Sequence, residues 1–269
     1  MRRTLFILVL AASAIAATAQ TAAPYPAEEQ PGEACTWGNK AGDTTNLMNR
    51  VLMFCPVSLR QTGHLCGGVQ KDGFSLVADG KEYGLSDFKQ TNAVHVEGAA
   101  RGVKLNPDAA SPRAAEHASG WGMRREFKSA AAGVSIVWQA ELRDGSHYVK
   151  THYTITADRD VLLTQFTPLH LKGAGFRLHP ELAGAPTVQE DEGMFFCAEH
   201  PAAQTVITEN GAAIGVVGVW QLPKGKSMTF TAAEGVFPAG QLRRAYELYL
   251  SREQAAPAAV GTASGKTAL

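Results

Sequence analysis

The residues of this sequence that could move a proton are an adjacent glutamate and histidine and a run of three acids. Glu199 precedes His200, and Glu190, Asp191 and Glu192 stand side by side. Two carboxylates held about 5–10 Å apart can hydrolyse a glycoside, and a histidine with a glutamate can form a proton-transfer couple. Adjacent residues of a strand point to opposite faces, so we do not expect Glu199 and His200 to act on one substrate. The acidic run is typical of a solvated turn, and the sequence shows no catalytic constellation.

Other catalytic and metal-binding patterns are not indicated. His147 and His152 are an odd number of positions apart, so on one strand they would lie on opposite faces and could not share a metal. His64 stands near Cys66 among glycines, where a disulfide in a turn is favoured over a Cys–His nucleophile in an exported chain. The sequence contains neither a G-x-S-x-G elbow nor a phosphate-binding loop. We therefore predict no metal ion and no cofactor.

Tryptophan residues provide the best argument for a binding site, because sugar rings stack on accessible aromatic faces. Trp121 lies between two glycines and is predicted to stand on a loop, with Arg124 close enough to bond hydroxyl groups. Trp138 and Trp220 lie in alternating segments and are expected in the core. The candidate ligand-binding residues are Trp121, Arg124, Glu199 and His200.

The N-terminus is typical of a bacterial secretion signal. Arg2 and Arg3 are followed by an apolar run from Leu5 to Ala17 and by an A-x-A cleavage site that ends at Ala19. The apolar run is too short for a membrane span of about 20 residues. We expect a secreted or periplasmic protein. The predicted organisation is a signal peptide over residues 1–19, a flexible leader over 20–32, a β-sandwich domain over 33–254 and a disordered tail over 255–269.

Disulfide bonds are permitted in an oxidising compartment, and the mature region contains four cysteines. They are Cys35, Cys55, Cys66 and Cys197. Sequence alone does not distinguish the possible pairings, but the short separations favour a bond from either Cys35 or Cys55 to Cys66. Cys197 follows an apolar run and is expected to be a buried free thiol.

Strand signals dominate the sequence, and helical periodicity is confined to its end. Dipeptides that favour hairpin turns occur at Asp79-Gly80, Asp144-Gly145 and Asn210-Gly211, each between β-forming segments. Apolar residues recur at helical spacing only between Leu242 and Leu250. The predicted fold is all-β, a large antiparallel β-sandwich with one C-terminal α-helix.

Composition and charge exclude some classes of partner. The chain has 269 residues, 45% of them hydrophobic, which is enough apolar mass for one large core. Its formal net charge is zero, so no field of one sign would attract nucleic acid or an anionic membrane. We therefore expect neither nucleic acid binding nor a membrane span.

Three segments carry a resemblance to a known family. They are Ala140–Ser146, Phe195–Pro201 and Gly235–Ala245, within a similar region from Trp138 to Gln254. Together they resemble the N-terminal β-supersandwich of bacterial α-galactosidase-like, melibiase-clan glycoside hydrolases, which is similar to galactose mutarotase sandwiches. In that family a catalytic barrel follows the sandwich and holds the catalytic aspartates. No barrel is expected here, because the sequence ends at Leu269.

The resemblance implies a carbohydrate-associated domain more than any reaction. We expect an exported, non-catalytic β-sandwich protein whose partner is carbohydrate or a secreted glycosidase. One alternative is a mutarotase-like sugar isomerase that uses His200, since that activity can reside on a sandwich alone. Another is the remnant of a truncated α-galactosidase-like enzyme.

Overall fold

A computed structural model describes residues 36–37, 43–62, 68–92 and 98–253 of the chain. The predicted signal peptide, leader and tail lie outside these residues, as do Cys35 and Cys66. The described part is built on antiparallel strands in two sheets of ten. Its only α-helix is α1 (Leu242–Glu253). The predicted all-β sandwich with one C-terminal helix is therefore confirmed.

The first sheet ends at β18 (Ala203–Thr208), which pairs with β19 (Gly211–Leu222), and β19 pairs in turn with β14 (Val161–Lys172). Its strands are β1 (Thr36–Trp37), β3 (Leu47–Met48), β4 (Leu52–Cys55), β5 (Ser58–Gln61), β6 (Val69–Lys71), β7 (Ser75–Ala78), β8 (Lys81–Gly84), β14 (Val161–Lys172), β18 (Ala203–Thr208) and β19 (Gly211–Leu222). The sequence prediction did not include β1 to β6, which are only two to four residues long.

The strands of the second sheet are β2 (Asp43–Thr44), β9 (Lys89–Gln90), β10 (Ala100–Leu105), β11 (Gly120–Ser129), β12 (Val134–Arg143), β13 (Tyr148–Ala157), β15 (Phe176–Leu178), β16 (Thr187–Gln189), β17 (Met194–Ala198) and β20 (Ser227–Val236). Their order is β15, β16, β17, β20, β13, β12, β11, β10, β2, and β9 pairs with β11. Two short 3₁₀ helices, η1 (Leu85–Asp87) and η2 (Ala114–His117), lie in connections.

All three predicted hairpins form. Asp79 and Gly80 connect β7 to β8 with φ angles of 52° and 78°, the left-handed backbone that a type I′ turn requires. Asp144-Gly145 lies in the connection from β12 to β13. The third hairpin turns at Glu209-Asn210, one residue before the predicted dipeptide, because Gly211 already pairs with Thr208 as the first residue of β19. The acidic run from Glu190 to Glu192 lies in the turn between β16 and β17, as expected.

The main core lies between the two sheets and is filled by apolar side chains at alternate positions of the strands. Val134, Ile136 and Trp138 of β12 are at most 5% exposed, while the residues between them are half-buried on the outer face. Phe166 of β14 stacks on Phe230 of β20 with ring centroids 4.8 Å apart, which joins the two layers.

A buried ion pair also joins the two sheets. Lys71 of β6 places its Nζ atom 2.8 Å from Oε2 and 3.0 Å from Oε1 of Glu234 on β20. Both side chains are at most 4% exposed, and the ammonium lies 3.9 Å from the centre of the Phe54 ring. Burial of such charges is tolerated only because each is fully paired.

A second apolar cluster lies on the outer face of the second sheet, where α1 packs. Phe195 of β17 belongs to this cluster, whereas its neighbour Phe196 belongs to the main core, because adjacent residues of a strand face opposite ways. Tyr246 and Tyr249 of α1 are at most 2% exposed, and their rings lie 5.2 Å and 5.6 Å from that of Phe195. The helix thus covers part of the outer face of the second sheet.

Among the described residues, no helix has the length and apolar content needed to cross a membrane.

Candidate functional site

The site begins at a cleft of about 490 Å³ beside α1, which we call the α1 cleft. Strand β13 and the segment after β17 form its floor, α1 forms one side, and the connection that contains η2 contributes Arg113. The residues with polar side chains that border it are Arg113, Lys150, Cys197, Glu199, His200, Thr231, Tyr246, Tyr249 and Glu253.

Lys150 is the centre of a hydrogen-bonded network at the cleft. Its Nζ atom lies 2.7 Å from Oε2 of Glu253 and 2.9 Å from Oε2 of Glu199. Each carboxylate also accepts a tyrosine hydroxyl at 2.6 Å, from Tyr148 to Glu253 and from Tyr249 to Glu199. This Lys150 network therefore joins β13, the end of β17 and α1 through charge-assisted hydrogen bonds.

Mutual contact keeps the network charged. Burial by itself raises the pKa of the Glu199 carboxyl, but the Lys150 charge and the Tyr249 hydroxyl outweigh it, so the pKa lies below the ordinary value. Burial by itself lowers the pKa of Lys150, but Glu199 and Glu253 outweigh it and raise the pKa. Burial raises the pKa of Tyr148 and Tyr249, which remain hydrogen-bond donors.

This electrostatic arrangement suits binding more than acid catalysis. A glycosidase needs one carboxylic acid whose pKa is raised so that it can protonate the leaving group. At Glu199 the shift has the opposite direction. An ionised carboxylate beside an ammonium is instead a fixed acceptor and donor for ligand hydroxyl groups.

A row of polar residues continues from the cleft across the second sheet. Strand register places Arg124 of β11 beside Gln139 of β12, Gln139 beside His152 of β13, and His152 beside Thr231 of β20. The backbone N–H of Glu199 donates to the Thr231 carbonyl at 2.9 Å, which brings the row to the cleft. Burial lowers the pKa of His152, whose ring also lies near the Glu141 carboxylate.

Trp121 does not stand on a loop, and this prediction is wrong. It is the second residue of β11, is half-buried, and packs against the main core. The two flanking glycines also belong to the strand. A Cβ atom would lie only 2.4 Å from the backbone of β12 at Gly120 and 2.8 Å at Gly122, so these positions require glycine. Arg124 is three residues further along and therefore faces the other side of the sheet, where it pairs with Glu126 at 3.1 Å.

Glu199 and His200 both border the α1 cleft, but their side chains diverge. Glu199 joins the Lys150 network, whereas the His200 ring packs 6.3 Å from the rings of Trp220 and Phe230 at the edge of the main core. His200 Nδ1 accepts the backbone N–H of Ala202 at 3.1 Å. The structure therefore brings Glu199 and Arg124 to one sheet face and leaves Trp121 on the other.

Cys55 is a free thiol, so the alternative that pairs it with Cys66 is wrong. Its Sγ atom lies 2.9 Å from the hydroxyl of Ser58 across the turn from β4 to β5. A bond from Cys35 to Cys66 stays a prediction, since neither residue is described. Cys197 is a buried free thiol, as expected, and burial raises its pKa to about 11.

Sequence reasoning missed Lys150, Glu253, Tyr148 and Tyr249 as site residues. One signal could have found part of the set, because Tyr249 and Glu253 are four positions apart and share one face of the predicted helix. Likewise, Tyr148 and Lys150 share one face of a predicted strand. Neither pattern indicates that the helix packs on this strand. Among the residues that the structure describes, no group of three or more His, Cys, Asp or Glu is arranged to hold a metal ion.

No family model matches the chain, and no curated protein matches it either. Several solved structures do match the chain. The chain is similar to the GH36 α-galactosidase AgaB from Geobacillus stearothermophilus, with 10% identity and a TM-score of 0.41 over 76% of this chain and 41% of that one. It is similar to AgaA from the same organism, with 10% identity and a TM-score of 0.43 over 77% of this chain and 43% of that one.

A lyase gives a comparable match. The heparan sulfate lyase HepC from Pedobacter heparinus is 7% identical, with a TM-score of 0.40 over 78% of this chain and 37% of that one. The chain thus spans about two fifths of the length of the α-galactosidases it matches. The resemblance to α-galactosidases stated from the sequence is found again here, but at these TM-scores it assigns no activity to the chain.

Proposed function

We propose that this chain is an exported, carbohydrate-associated β-sandwich protein that binds a glycan in the α1 cleft without cleaving it. The observation that carries the proposal is the Lys150 network, in which two carboxylates and an ammonium meet at the wall of an open cleft. Export rests on the signal-peptide pattern of residues 1–19.

The cleft has the composition that a sugar ring requires. Its volume lies within the usual range for small-ligand sites of roughly 300–1,000 Å³. Glu199 and Glu253 can accept hydrogen bonds from hydroxyl groups, and Lys150 can donate to hydroxyl oxygens, while Pro201 and Leu250 offer apolar surface to C–H groups. Because these polar groups hold one another in place, a ligand would bind without a large cost for ordering them.

A glycan array tests the proposal. The purified mature chain is screened on the array and against galactosides, which the sequence resemblance makes the first probes. We expect at least one glycan to bind and Glu199→Gln to weaken binding about tenfold or more, because a charge-assisted hydrogen bond is lost. Glu181→Gln is the matched control, since Glu181 is exposed, is bonded to His179 and does not itself border the cleft.

If Glu181→Gln binds the glycan as tightly as the parent and Glu199→Gln binds it more weakly, the result supports the α1 cleft as the binding site. Because Glu199 also anchors α1, Arg113→Ala serves as a second cleft variant whose only described ion pair is with Glu116 on the surface. Absence of any binding glycan would overturn the proposal.

Anomer exchange on free galactose or glucose separates binding from sugar isomerisation. We expect no rate gain, because the side chains of Glu199 and His200 diverge at the end of β17. A clear rate gain that is lost in His200→Ala would show an isomerase instead.

A further inference from the structure

The row of residues that leaves the α1 cleft could extend its binding surface. We call Thr231, His152, Gln139 and Arg124 the outer-face tract, since strand register aligns them across four neighbouring strands. From β11 to β20 the tract crosses three strand spacings, which gives a length of roughly 14 Å at about 4.8 Å per spacing. A tract of this length is too long for one sugar ring and fits several.

The tract is accessible and continuous with the cleft. Thr231 borders the cleft itself, the His152 side chain is 26% exposed, and that of Arg124 is 37% exposed. Gln139 is half-buried and donates to Glu141 at 2.7 Å, which fixes its amide on the sheet surface. A ligand in the cleft would therefore meet polar groups in fixed positions as it crosses the strands.

A wall stands along one side of the tract. Helix η2 packs against α1, and its residues Ala115 and Glu116 border the same small recess as His152 and Glu141. A groove with a β-sheet floor and one wall guides an extended chain in a single direction, whereas a flat face would not.

Each cation along the groove has at least one carboxylate partner. Arg124 pairs with Glu126 at 3.1 Å, and Arg143 pairs with Glu141 at 3.4 Å. Lys150 is shared by two carboxylates. Because no cation is left in excess among these groups, the groove favours an uncharged ligand over a sulfated or uronate-rich one.

We infer that the ligand of this site is an extended, uncharged oligosaccharide, whose end lies in the α1 cleft and whose body follows the outer-face tract toward Arg124. The inference rests on the proposed function and specifies its ligand class. It assigns subsite positions to Gln139 and Arg124, which lie beyond the cleft itself.

Calorimetric titration of the full mature chain tests the length dependence. The probes are neutral galacto-oligosaccharides of one to five sugar units, or the same ladder built on whichever neutral glycan the array identifies, together with heparan sulfate as a charged probe. We expect affinity to rise with each added unit until the tract is filled and to be weaker for heparan sulfate.

Variants on the tract locate the contact. Gln139→Ala and Arg124→Ala should each weaken the longest oligosaccharide about fivefold, the loss of one hydrogen bond, and leave the single sugar unchanged. Gln204→Ala and Arg177→Ala are matched controls, because both residues are exposed on other strands and should have no effect.

The outcomes separate the inference from the proposed function. Equal affinity for one and five units, with no effect of Gln139→Ala or Arg124→Ala, would overturn the extended site while the cleft still binds. Tighter binding of heparan sulfate than of any neutral chain would overturn the uncharged ligand class. Absence of binding by every probe would overturn both the inference and the proposed function.

Discussion

At the scale of single residues, the molecule contains two buried arrangements of charge with different surroundings. The Lys71–Glu234 pair lies between the sheets and is sealed from solvent, whereas the Lys150 network opens onto a cleft. A sealed pair can serve only the fold, because no ligand reaches it. An open network presents its acceptors and donors outward, which is why the candidate site is placed there.

Removal of one partner of the sealed pair should be strongly destabilising. Glu234→Gln leaves the Lys71 ammonium buried without a counter-charge, and we expect the free energy of unfolding to fall by about 3–5 kcal/mol. Urea unfolding monitored by tryptophan fluorescence measures this loss. Asp72→Asn is the control, since the Asp72–Lys172 pair is more than half exposed and should contribute less than about 1 kcal/mol.

A double variant, Lys71→Met with Glu234→Leu, should recover much of the lost stability because neither charge remains. A Glu234→Gln protein as stable as the parent would show that the Lys71–Glu234 pair does not stabilise the fold.

His147 should make stability depend on pH. It is fully buried, its Nε2 atom lies 2.9 Å from the carbonyl oxygen of Ala245 in α1, and burial lowers its pKa to about 3 from an ordinary value of 6.5. Between these two pKa values, His147 is protonated in the unfolded chain and neutral in the folded protein. The folded state is therefore not penalised by His147 above pH 6.5, and the free energy of unfolding falls progressively as the pH drops from 6.5 toward 3.

The size of the loss follows from about 1.4 kcal/mol for each pH unit, or roughly 2–3 kcal/mol by pH 4.5. His147→Gln keeps a donor for Ala245 and cannot titrate, so its unfolding free energy should fall less between pH 7 and pH 4.5. Urea titrations at both pH values measure the free energy of unfolding of the parent and of His147→Gln. An equal loss in the two proteins would show that His147 does not cause the pH dependence.

At the scale of elements, local rules predicted the hairpins and the helix but not the short strands. Asp79-Gly80 sets a two-residue turn by its own backbone preference, and a long alternating arm such as β12 fills the core wherever it is placed. The strands β1 to β6 are too short for alternation to be visible. Of these, β2 pairs with β10 and β6 with β14, whereas β1, β3, β4 and β5 pair with one another and with β6, so their formation depends on tertiary contacts.

Helix α1 should depend on its tyrosines for docking. Tyr246→Ala removes a ring that contacts Phe195 and Tyr249, so we expect a loss of about 3–5 kcal/mol in unfolding free energy. Glu247→Ala, on the exposed side of the same helix, should change it by less than about 0.5 kcal/mol. Chemical unfolding measures both, and trypsin cleavage within α1 should accelerate only in Tyr246→Ala.

A Tyr246→Ala protein with parental stability would show that the helix is held by its polar network alone.

At the scale of the whole molecule, the two sheets enclose one core and leave a bare edge at β18. This strand from Ala203 to Thr208 has no charged residue and no proline, and it terminates the first sheet. Val206 is 63% exposed on it, and the next residue, Ile207, is 39% exposed. Native sheets commonly protect such edges with lysine or proline, which this one lacks.

The bare edge should pair with other copies at high protein concentration. Val206→Lys places a charge on the edge and should lower the scattering of concentrated solutions without changing stability by more than about 0.5 kcal/mol. Val57→Lys is the control, because Val57 is 55% exposed in the turn between β4 and β5, far along the sheet from β18. Equal scattering by parent and both variants would show that the edge does not associate.

The sequence by itself determined what depends on neighbours in the chain: the strand-rich class, the turns with glycine in left-handed backbone, the terminal helix and the burial of Cys197. Only the tertiary structure decided which distant residues meet. Lys150 reaches Glu253 across 103 positions because α1 folds back over β13. Lys71 reaches Glu234 across 163 positions because β6 of the first sheet faces β20 of the second. Strand order is set by the packing of whole layers, so local periodicity carries no record of it. For that reason Glu199 could be singled out from the sequence, while the partners that give it a chemical role could not.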